Sequence, residues 1–223
     1  MIVKRPADTR KLIERSWIKS LRTFSNNDYY DPRYVNFSSL QVINDDTVQP
    51  GNHTPRHLHQ NMEIFGYVVD GPCKHVDNLG NVLEIPSGAV QRMSNGTGIY
   101  HTEGNASDNP IRYLQLWIDT DTPNTQPNYA WHQFTREDKL NQFCDITAHL
   151  PINSNAKLLT GIFTELFHYS LDPKRRYYVY VVSGTGILNG IDFVEGDGFA
   201  VTNESNFSIK ITDESEVILF DLP

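Results

Sequence analysis

The chain has 223 residues, of which 39% are hydrophobic and 21% are charged, and its formal net charge is −8. This balance excludes a disordered chain, and no apolar run approaches the roughly 20 residues of a membrane-spanning helix. Basic residues form no stripe, so neither a nucleic-acid nor a membrane partner is expected. Residues 1–6 lack a signal-peptide pattern, and the two cysteines fit unpaired thiols, so we expect a cytoplasmic protein.

The first half of the chain alternates short runs of Tyr, Val, Ile, Phe and Thr with turns of Gly, Pro, Asn and Asp. This rhythm predicts β-strands, and a spacing of roughly 8–12 residues per strand is typical of a sandwich or a barrel. The predicted strands cover residues 40–44, 62–69, 73–77, 81–85, 90–94, 99–103 and 112–118.

A polar segment with two prolines, residues 119–129, predicts a linker, and residues 133–142 predict one or two helical turns. The strand rhythm then resumes, with Gly184 among the expected turns, and a weak repeat relates residues 67–71 to 180–184. We therefore predict a metal-binding barrel in residues 1–132 and a barrel without metal ligands in residues 133–223. The strands predicted there cover residues 161–169, 177–183, 186–188, 198–202, 208–211 and 216–222.

Two segments each place two metal-type donors two residues apart, as His57-Leu58-His59 and His101-Thr102-Glu103. Residues i and i+2 of a β-strand point to the same side, so each segment can aim two donors into one cavity. If the two strands are neighbours, three imidazoles and one carboxylate surround a divalent transition metal and leave open positions for O₂ or substrate.

Two motifs resemble, in order, the two sequence signatures of the cupin family: Gly51-x5-His57-x-His59-x3-Glu63 and Gly80-x5-Pro86-x-Gly88. Glu63 shares parity with the two histidines and is a second candidate for the carboxylate ligand. We take Glu103 as the ligand and place Glu63 beside the site, where it holds an imidazole or relays a proton. Phe65 and Tyr67 share that parity and are expected to line an apolar substrate pocket.

The chain also resembles the pirin family, and within it the bacterial pirin-like quercetinases. The resemblance implies an all-β bicupin, two tandem double-stranded β-helix (jelly-roll) barrels with one metal in the first, held by the residues matching His57, His59, His101 and Glu103. It also implies a dioxygenase that opens the flavonol ring of quercetin with O₂ and releases carbon monoxide. The segments that carry it are residues 21–25, 29–32, 42–46, 56–64, 93–103 and 114–118, with a looser match in residues 217–223.

The expected catalytic residues are Glu103 and Glu63, either of which would accept the proton of the substrate hydroxyl. Iron is the first choice of metal, and Ni, Mn, Cu, Co and Zn suit the same donors. The expected partners are a small aromatic substrate and O₂, with the protein a monomer. A metal-dependent regulatory or redox-sensing protein, like the eukaryotic relatives, is the alternative, and a sugar-handling cupin ranks below it because Arg56 and Arg92 lie in no phosphate-binding loop.

The chain departs from the family pattern at two places. Leu58 replaces the proline that separates the two histidines in typical members, which removes a backbone constraint on the ligand strand. Asn26 replaces an aromatic residue, which bears on flavonoid preference. The other histidines lack a paired donor at i±2 in this interpretation and are expected to be surface or structural residues: His53, His75, His132, His149 and His168. Among them His53 is the first candidate for an exception, because it precedes His57 by four residues.

Overall fold

A computed structural model describes all residues 1–223 and places most of them in β-strands, which confirms the all-β prediction. None of its helices is long and apolar enough to span a membrane. The first-half strands are β1 Ile2–Arg5, β2 Lys11–Arg15, β3 Ile18–Arg22, β4 Leu40–Val48, β5 His57–His59, β6 Met62–Asp70, β7 Cys73–Asp77, β8 Val82–Ile85, β9 Ala89–Ser94, β10 Ile99–Asn105, β11 Ile111–Asp119 and β12 Asn128–Gln133.

The second half contains two single-turn helices followed by long strands. In chain order these are α1 Arg136–Lys139, β13 Cys144–Asp145, α2 Ile146–His149, β14 Lys157–Phe163, β15 Phe167–Ser170, β16 Arg176–Leu188, β17 Ile191–Val194, β18 Gly198–Thr202 and β19 Asn206–Leu222. A short 3-10 turn, Ala7–Thr9, follows β1.

Two antiparallel sheets make up the first half. A seven-stranded sheet has the order β12-β9-β6-β11-β4-β3-β2, and a four-stranded sheet has the order β5-β10-β7-β8. A buried cluster joins them, with Val68 and Tyr113 from the larger sheet against Cys73 and Ile85 from the smaller. The two sheets therefore enclose one interior, and β5 lies at the edge of the smaller sheet.

One eight-stranded sheet makes up the second half, and the first strand of the chain belongs to it. Its order is β1-β18-β16-β19-β14-β13, with β15 and β17 attached to β19 and β16. β1 pairs with β18 from Ile2 opposite Val201 to Arg5 opposite Gly198, so the chain begins in the second half and then crosses to the first. The domain division predicted at residue 132 assigns β1 to the first half and does not account for its pairing with β18.

Gly184 does not end a strand, contrary to the turn expected there. β16 continues through it to Leu188 beside β19, with register shifts between Val181 and Gly186. Gly184 has a φ of +90°, and a Cβ at this position would lie 2.3 Å from the carbonyl oxygen of Glu214. The glycine thus permits a bulge in a long strand pair, a role that sequence alone does not separate from a turn.

The two halves pack against each other through the largest buried cluster, of 20 residues. It contains Phe65 and Tyr67 from β6 and Leu116 from β11, against Tyr178 and Phe220 of the second sheet. The expectation that Phe65 and Tyr67 line a substrate pocket is therefore wrong. Their side of β6 faces the junction between the halves, and the opposite side faces the interior of the first half.

Candidate metal centre

The two predicted donor segments lie on neighbouring strands. β5 and β10 pair antiparallel, with His57 opposite His101 and His59 opposite Ile99. Because directly opposed residues point to the same side of a sheet, the three imidazoles converge. One ring nitrogen from each of His57, His59 and His101 lies within 4.8 Å of the others, and the Nε2 atoms of His57 and His101 are 3.1 Å apart.

Glu103 belongs to a second group of donors that shares His101 with the first. A carboxylate oxygen of Glu103 and ring nitrogens of His75 and His101 lie within 4.8 Å of one another, and all three residues are buried. The donors predicted from sequence therefore occur as two overlapping triads that share His101. His75, expected from sequence to be a surface or structural residue, contributes to the second.

Burial and the neighbouring rings keep two of the imidazoles neutral. Burial, and then His57, lower the pKa of His59 to about 4. Burial, followed by His57, His59 and His75, lowers the pKa of His101 to about 2. The neutral ring with a free lone pair is the form that binds a metal ion.

Several buried nitrogens in this cluster have no hydrogen-bond partner within the protein, among them Nε2 of His59 and Nδ1 of His101. Nδ1 of His57, by contrast, lies 2.8 Å from the carbonyl oxygen of Pro55, which leaves Nε2 of that ring for a ligand. The unpaired Nε2 of His59, together with the facing Nε2 atoms of His57 and His101, fits a bound divalent transition metal, and the adjacent carboxylate completes a suitable donor set.

Glu103 is held in place by side chains that the sequence analysis did not find. Gln91 on β9 donates its amide N–H to Glu103, and the Tyr129 hydroxyl donates to Oε1 of Gln91 at 2.8 Å. The backbone N–H of Glu103 donates to Oγ1 of Thr54 at 3.0 Å. Burial, and then the charge of Asp46, raise the pKa of Glu103 to about 7. Burial therefore disfavours the charged form of this carboxyl group when no metal ion is bound.

Glu63 does not join the cluster. It is 1% exposed and lies on the junction side of β6, where Oε2 accepts from the Ser94 hydroxyl at 2.5 Å and Oε1 accepts from the Asn153 amide at 3.4 Å. Glu63 does not share the side of His57 and His59 because β5 ends at His59 and β6 begins at Met62, and Asn61 between them has a φ of +49°. Alternation of sides holds along one strand and does not carry through a turn.

A cavity of about 570 Å³ opens beside His57 and His59. Trp117 packs its ring edge-to-face against His59 at 4.7 Å. Only 5 of the 16 lining residues are hydrophobic, so the cavity suits a hydroxylated ligand better than an apolar one. Polar groups that line it include Ser20, Arg22, Asn44, Asp46 and Gln115.

His75 and Asp77 are a third pair of potential donors two residues apart, which the sequence analysis overlooked. Nε2 of His75 lies 2.9 Å from Oδ2 of Asp77, and both side chains are fully buried. His75 also stacks on Tyr129, with ring centroids 4.3 Å apart. The same spacing rule that found the first two pairs would have found this one. The partners on β9 and β12, by contrast, carry no local sequence signal.

Comparison with known proteins places this architecture in a family. A family model for pirin matches residues 6–118, and a model for the quercetinase C-terminal cupin domain matches residues 146–222. A quercetin 2,3-dioxygenase of Escherichia coli K12 is 35% identical over 229 residues, which covers 100% of this chain and 99% of that protein. The chain belongs to the pirin family. The expected bicupin fold is thereby confirmed.

Other pirins extend the comparison. A pirin-like protein of Caulobacter vibrioides is 32% identical over 99% of both chains. The crystal structure of the bacterial pirin YhhW of Escherichia coli in complex with nickel(II) matches with a TM-score of 0.93 at 33% identity, covering 100% of this chain and 99% of that one. A metal-bound pirin with nearly the same backbone agrees with the reading of the histidine cluster as a divalent metal site.

Proposed function

We propose that this pirin is a metal-dependent dioxygenase of the quercetin 2,3-dioxygenase type, which opens a flavonol ring with O₂ and releases carbon monoxide. The observation that carries the proposal is the convergence of His57, His59 and His101, with His57 and His59 on the wall of an open cavity lined largely by polar residues. The name of the Escherichia coli relative, 35% identical over the whole chain, agrees with this substrate class.

His57, His59, His101 and Glu103 are the residues proposed to hold the metal. They would accept Fe, Ni, Mn, Cu, Co or Zn, since imidazole and carboxylate donors suit each of these ions. When bound, a divalent metal supplies Lewis-acid chemistry that lowers the pKa of a coordinated hydroxyl group. Glu63 has no part in this proposal, because its carboxylate is bonded to Ser94 and Asn153 at the junction of the halves.

The chain's own residues provide a base and a binding surface. Glu103, fixed by Gln91, is the carboxylate proposed to take the proton of the substrate hydroxyl at a side-chain oxygen. Trp117 presents its indole against the His59 ring on the cavity wall, where an aromatic substrate can pack. Asp46, Asn44 and Gln115 line the same cavity and provide hydrogen-bonding groups for further hydroxyls of a polyhydroxylated substrate.

The experiment measures quercetin consumption by metal-loaded protein in air, followed by loss of the flavonol absorbance, with carbon monoxide trapped by ferrous myoglobin. We expect turnover with wild type, and at least a 100-fold loss with His59→Ala. His53→Ala is the matched control, since His53 is exposed and belongs to neither triad. Unchanged absorbance with loaded wild type, or equal turnover by His59→Ala, would refute the proposal.

A further inference from the structure

His75 is a fully buried histidine beside the proposed metal centre, and nothing above gives it a role. It lies on β7, next to β10, with Asp77 directly opposite His101 and His75 opposite Glu103. The role proposed for His75 rests on the metal centre proposed above and concerns the orientation of His101, the donor that the two triads share.

Asp77 fixes which nitrogen of His75 carries the hydrogen. The Asp77 carboxylate accepts from the backbone N–H of Leu79 at 2.9 Å, from the backbone N–H of Asn81 at 3.1 Å and from the Asn81 amide at 2.8 Å. Every one of these contacts brings a hydrogen to the carboxylate, so it acts only as an acceptor. Its contact with His75 therefore needs the hydrogen on Nε2 of His75, which leaves Nδ1 of the neutral ring as an acceptor.

That acceptor is buried and has no partner within the protein. His101 presents the complementary group. Nε2 of His101 faces Nε2 of His57 at 3.1 Å and is the nitrogen placed to bind the metal. Its hydrogen must then lie on Nδ1, which is also buried and without a partner. An unpaired donor and an unpaired acceptor thus lie on adjacent rings.

The distance between the two rings allows them to join. Their centroids are 5.5 Å apart, and a ring nitrogen of each falls within the same 4.8 Å triad. Stacking on Tyr129 limits the movement of the His75 ring. Metal-ligating histidines generally donate their second ring N–H to a fixed acceptor, and among the metal-cluster rings His57 already has one in the Pro55 carbonyl.

We propose that Asp77, His75 and His101 form a hydrogen-bonded relay that orients the metal ligand. Asp77 sets the tautomer of His75, Nδ1 of His75 accepts the Nδ1–H of His101, and Nε2 of His101 is thereby held toward the metal. His75 is a positioning residue, since it acts on the metal only through His101. His75 provides an imidazole nitrogen as the acceptor for the ligand's second N–H, a position that a carboxylate or a backbone carbonyl usually occupies around metal-binding histidines.

The test compares His75→Gln with His75→Phe. Glutamine offers an N–H for Asp77 and an oxygen for His101, whereas phenylalanine fills the space and offers neither. The readout is the Zn²⁺ and Ni²⁺ dissociation constant, measured by competition with a chromophoric chelator. We expect phenylalanine to weaken metal binding about 10- to 100-fold and glutamine to restore most of that loss. His53→Gln, at an exposed histidine outside both triads, should bind as wild type does.

A second measurement uses wild type alone, so the proposal stands or falls even where the phenylalanine variant does not fold. In Zn²⁺-loaded protein labelled with ¹⁵N-histidine, long-range ¹H–¹⁵N spectra should show His101 protonated on Nδ1 and His75 protonated on Nε2. The opposite tautomer at either ring overturns the relay, as does a folded His75→Phe with wild-type affinity.

The metal centre and the relay can fail separately. Wild type that binds neither ion refutes the proposed metal centre and the relay together. Wild type that loses affinity on His59→Ala but keeps it on His75→Phe refutes the relay alone.

Discussion

Asp45 and Asp46 are consecutive residues of β4 whose carboxyl groups lie on opposite sides of the sheet. Asp45 faces the junction, where it accepts from Nε and Nη2 of Arg112 at 2.8 Å each and from the Tyr180 hydroxyl at 3.0 Å. Asp46 lines the cavity beside the histidines and accepts from Gln115 at 3.1 Å. One strand therefore links the packing of the two halves to the wall of the proposed active site.

Asp45→Asn should destabilise the protein through the junction. Burial would raise the pKa of Asp45, but Arg112 and Arg10 outweigh it and hold the pKa below its usual value, so the residue is a charged partner of both. Removing the charge leaves the buried guanidinium of Arg10 without a carboxylate partner, while Arg112 keeps only its ion pair with Glu195. The cost should be about 3 kcal/mol, or a fall in Tm of roughly 6–12 °C. Chemical denaturation followed by circular dichroism measures the free energy of unfolding, and thermal denaturation measures Tm.

The matched control for that variant is Glu214→Gln. Glu214 also pairs with an arginine, Arg136, but both side chains are about half exposed. Such pairs contribute little in water, so Tm should stay close to that of wild type. Equal effects of Asp45→Asn and Glu214→Gln would contradict the assigned importance of the junction.

Asp46→Asn should flatten the pH dependence of stability. Burial is the main cause that raises the pKa of Asp46 from 3.8 to about 7. Between these values the folded state binds more protons than the unfolded state, so the free energy of unfolding falls as pH rises, by about 1.4 kcal/mol per pH unit at most. The stabilising effect of the neutral form is complete below pH 3.8 and is lost by about pH 7.

Urea denaturation of metal-free protein between pH 4.5 and 7.5 measures this slope. The free energy of unfolding of Asp46→Asn should fall less steeply with rising pH than that of wild type. The stability of the variant relative to wild type should therefore increase toward pH 7.5. Asp108→Asn, at an exposed carboxylate, should keep the wild-type slope. A pH dependence of Asp46→Asn as steep as that of wild type would contradict the raised pKa of Asp46.

Leu58→Pro should be tolerated, although it places a proline in a strand that carries two of the proposed metal ligands. Leu58 lies opposite Tyr100, whose backbone N–H and C=O are bonded instead to Asn78 at 2.8 and 3.0 Å. Leu58 thus makes no ladder bond to β10, and β5 is an edge strand, where proline is acceptable. We expect a gain of about 0.4–1 kcal/mol in unfolding free energy and metal affinity at least equal to that of wild type.

The comparison variant is Thr102→Pro, on the interior strand β10. Thr102 pairs with Val76 of β7, so a proline there removes a ladder bond and should cost about 3 kcal/mol or more. Differential scanning calorimetry with and without Zn²⁺ measures both variants. A Leu58→Pro protein as unstable as Thr102→Pro would show that the edge-strand argument is mistaken.

Gly66→Ala should weaken the metal centre from a distance. A Cβ on Gly66 would lie 2.5 Å from Nε2 of Gln91, the nitrogen that donates to Glu103. The amide must move, and Glu103 then loses the contact that fixes it. We expect a fall of about 1–3 kcal/mol in unfolding free energy and weaker Zn²⁺ binding by chelator competition. Gly190→Ala, where a Cβ meets nothing within 4 Å, should leave metal binding unchanged.

The sequence by itself determined the strand-rich fold and which candidate side chains of β5 and β10 point to the same side. His57 with His59, and His101 with Glu103, are separated by one residue within a single strand, so the alternation of sides placed each pair correctly. The strands predicted at 73–77 and 198–202 agree with β7 and β18 to the residue. Turn residues and β-branched runs act locally, which is why they can be read without the rest of the molecule.

Only the tertiary structure decided which side of each strand meets which neighbour. Glu63, Phe65 and Tyr67 were placed with the ligands by counting through a turn at which the alternation is lost, and they face the second half instead. The pairing of β1 with β18 and the approach of Gln91 to Glu103 join segments far apart in the chain. Such contacts depend on how whole sheets pack, and that arrangement leaves no periodic mark on the residues that make them.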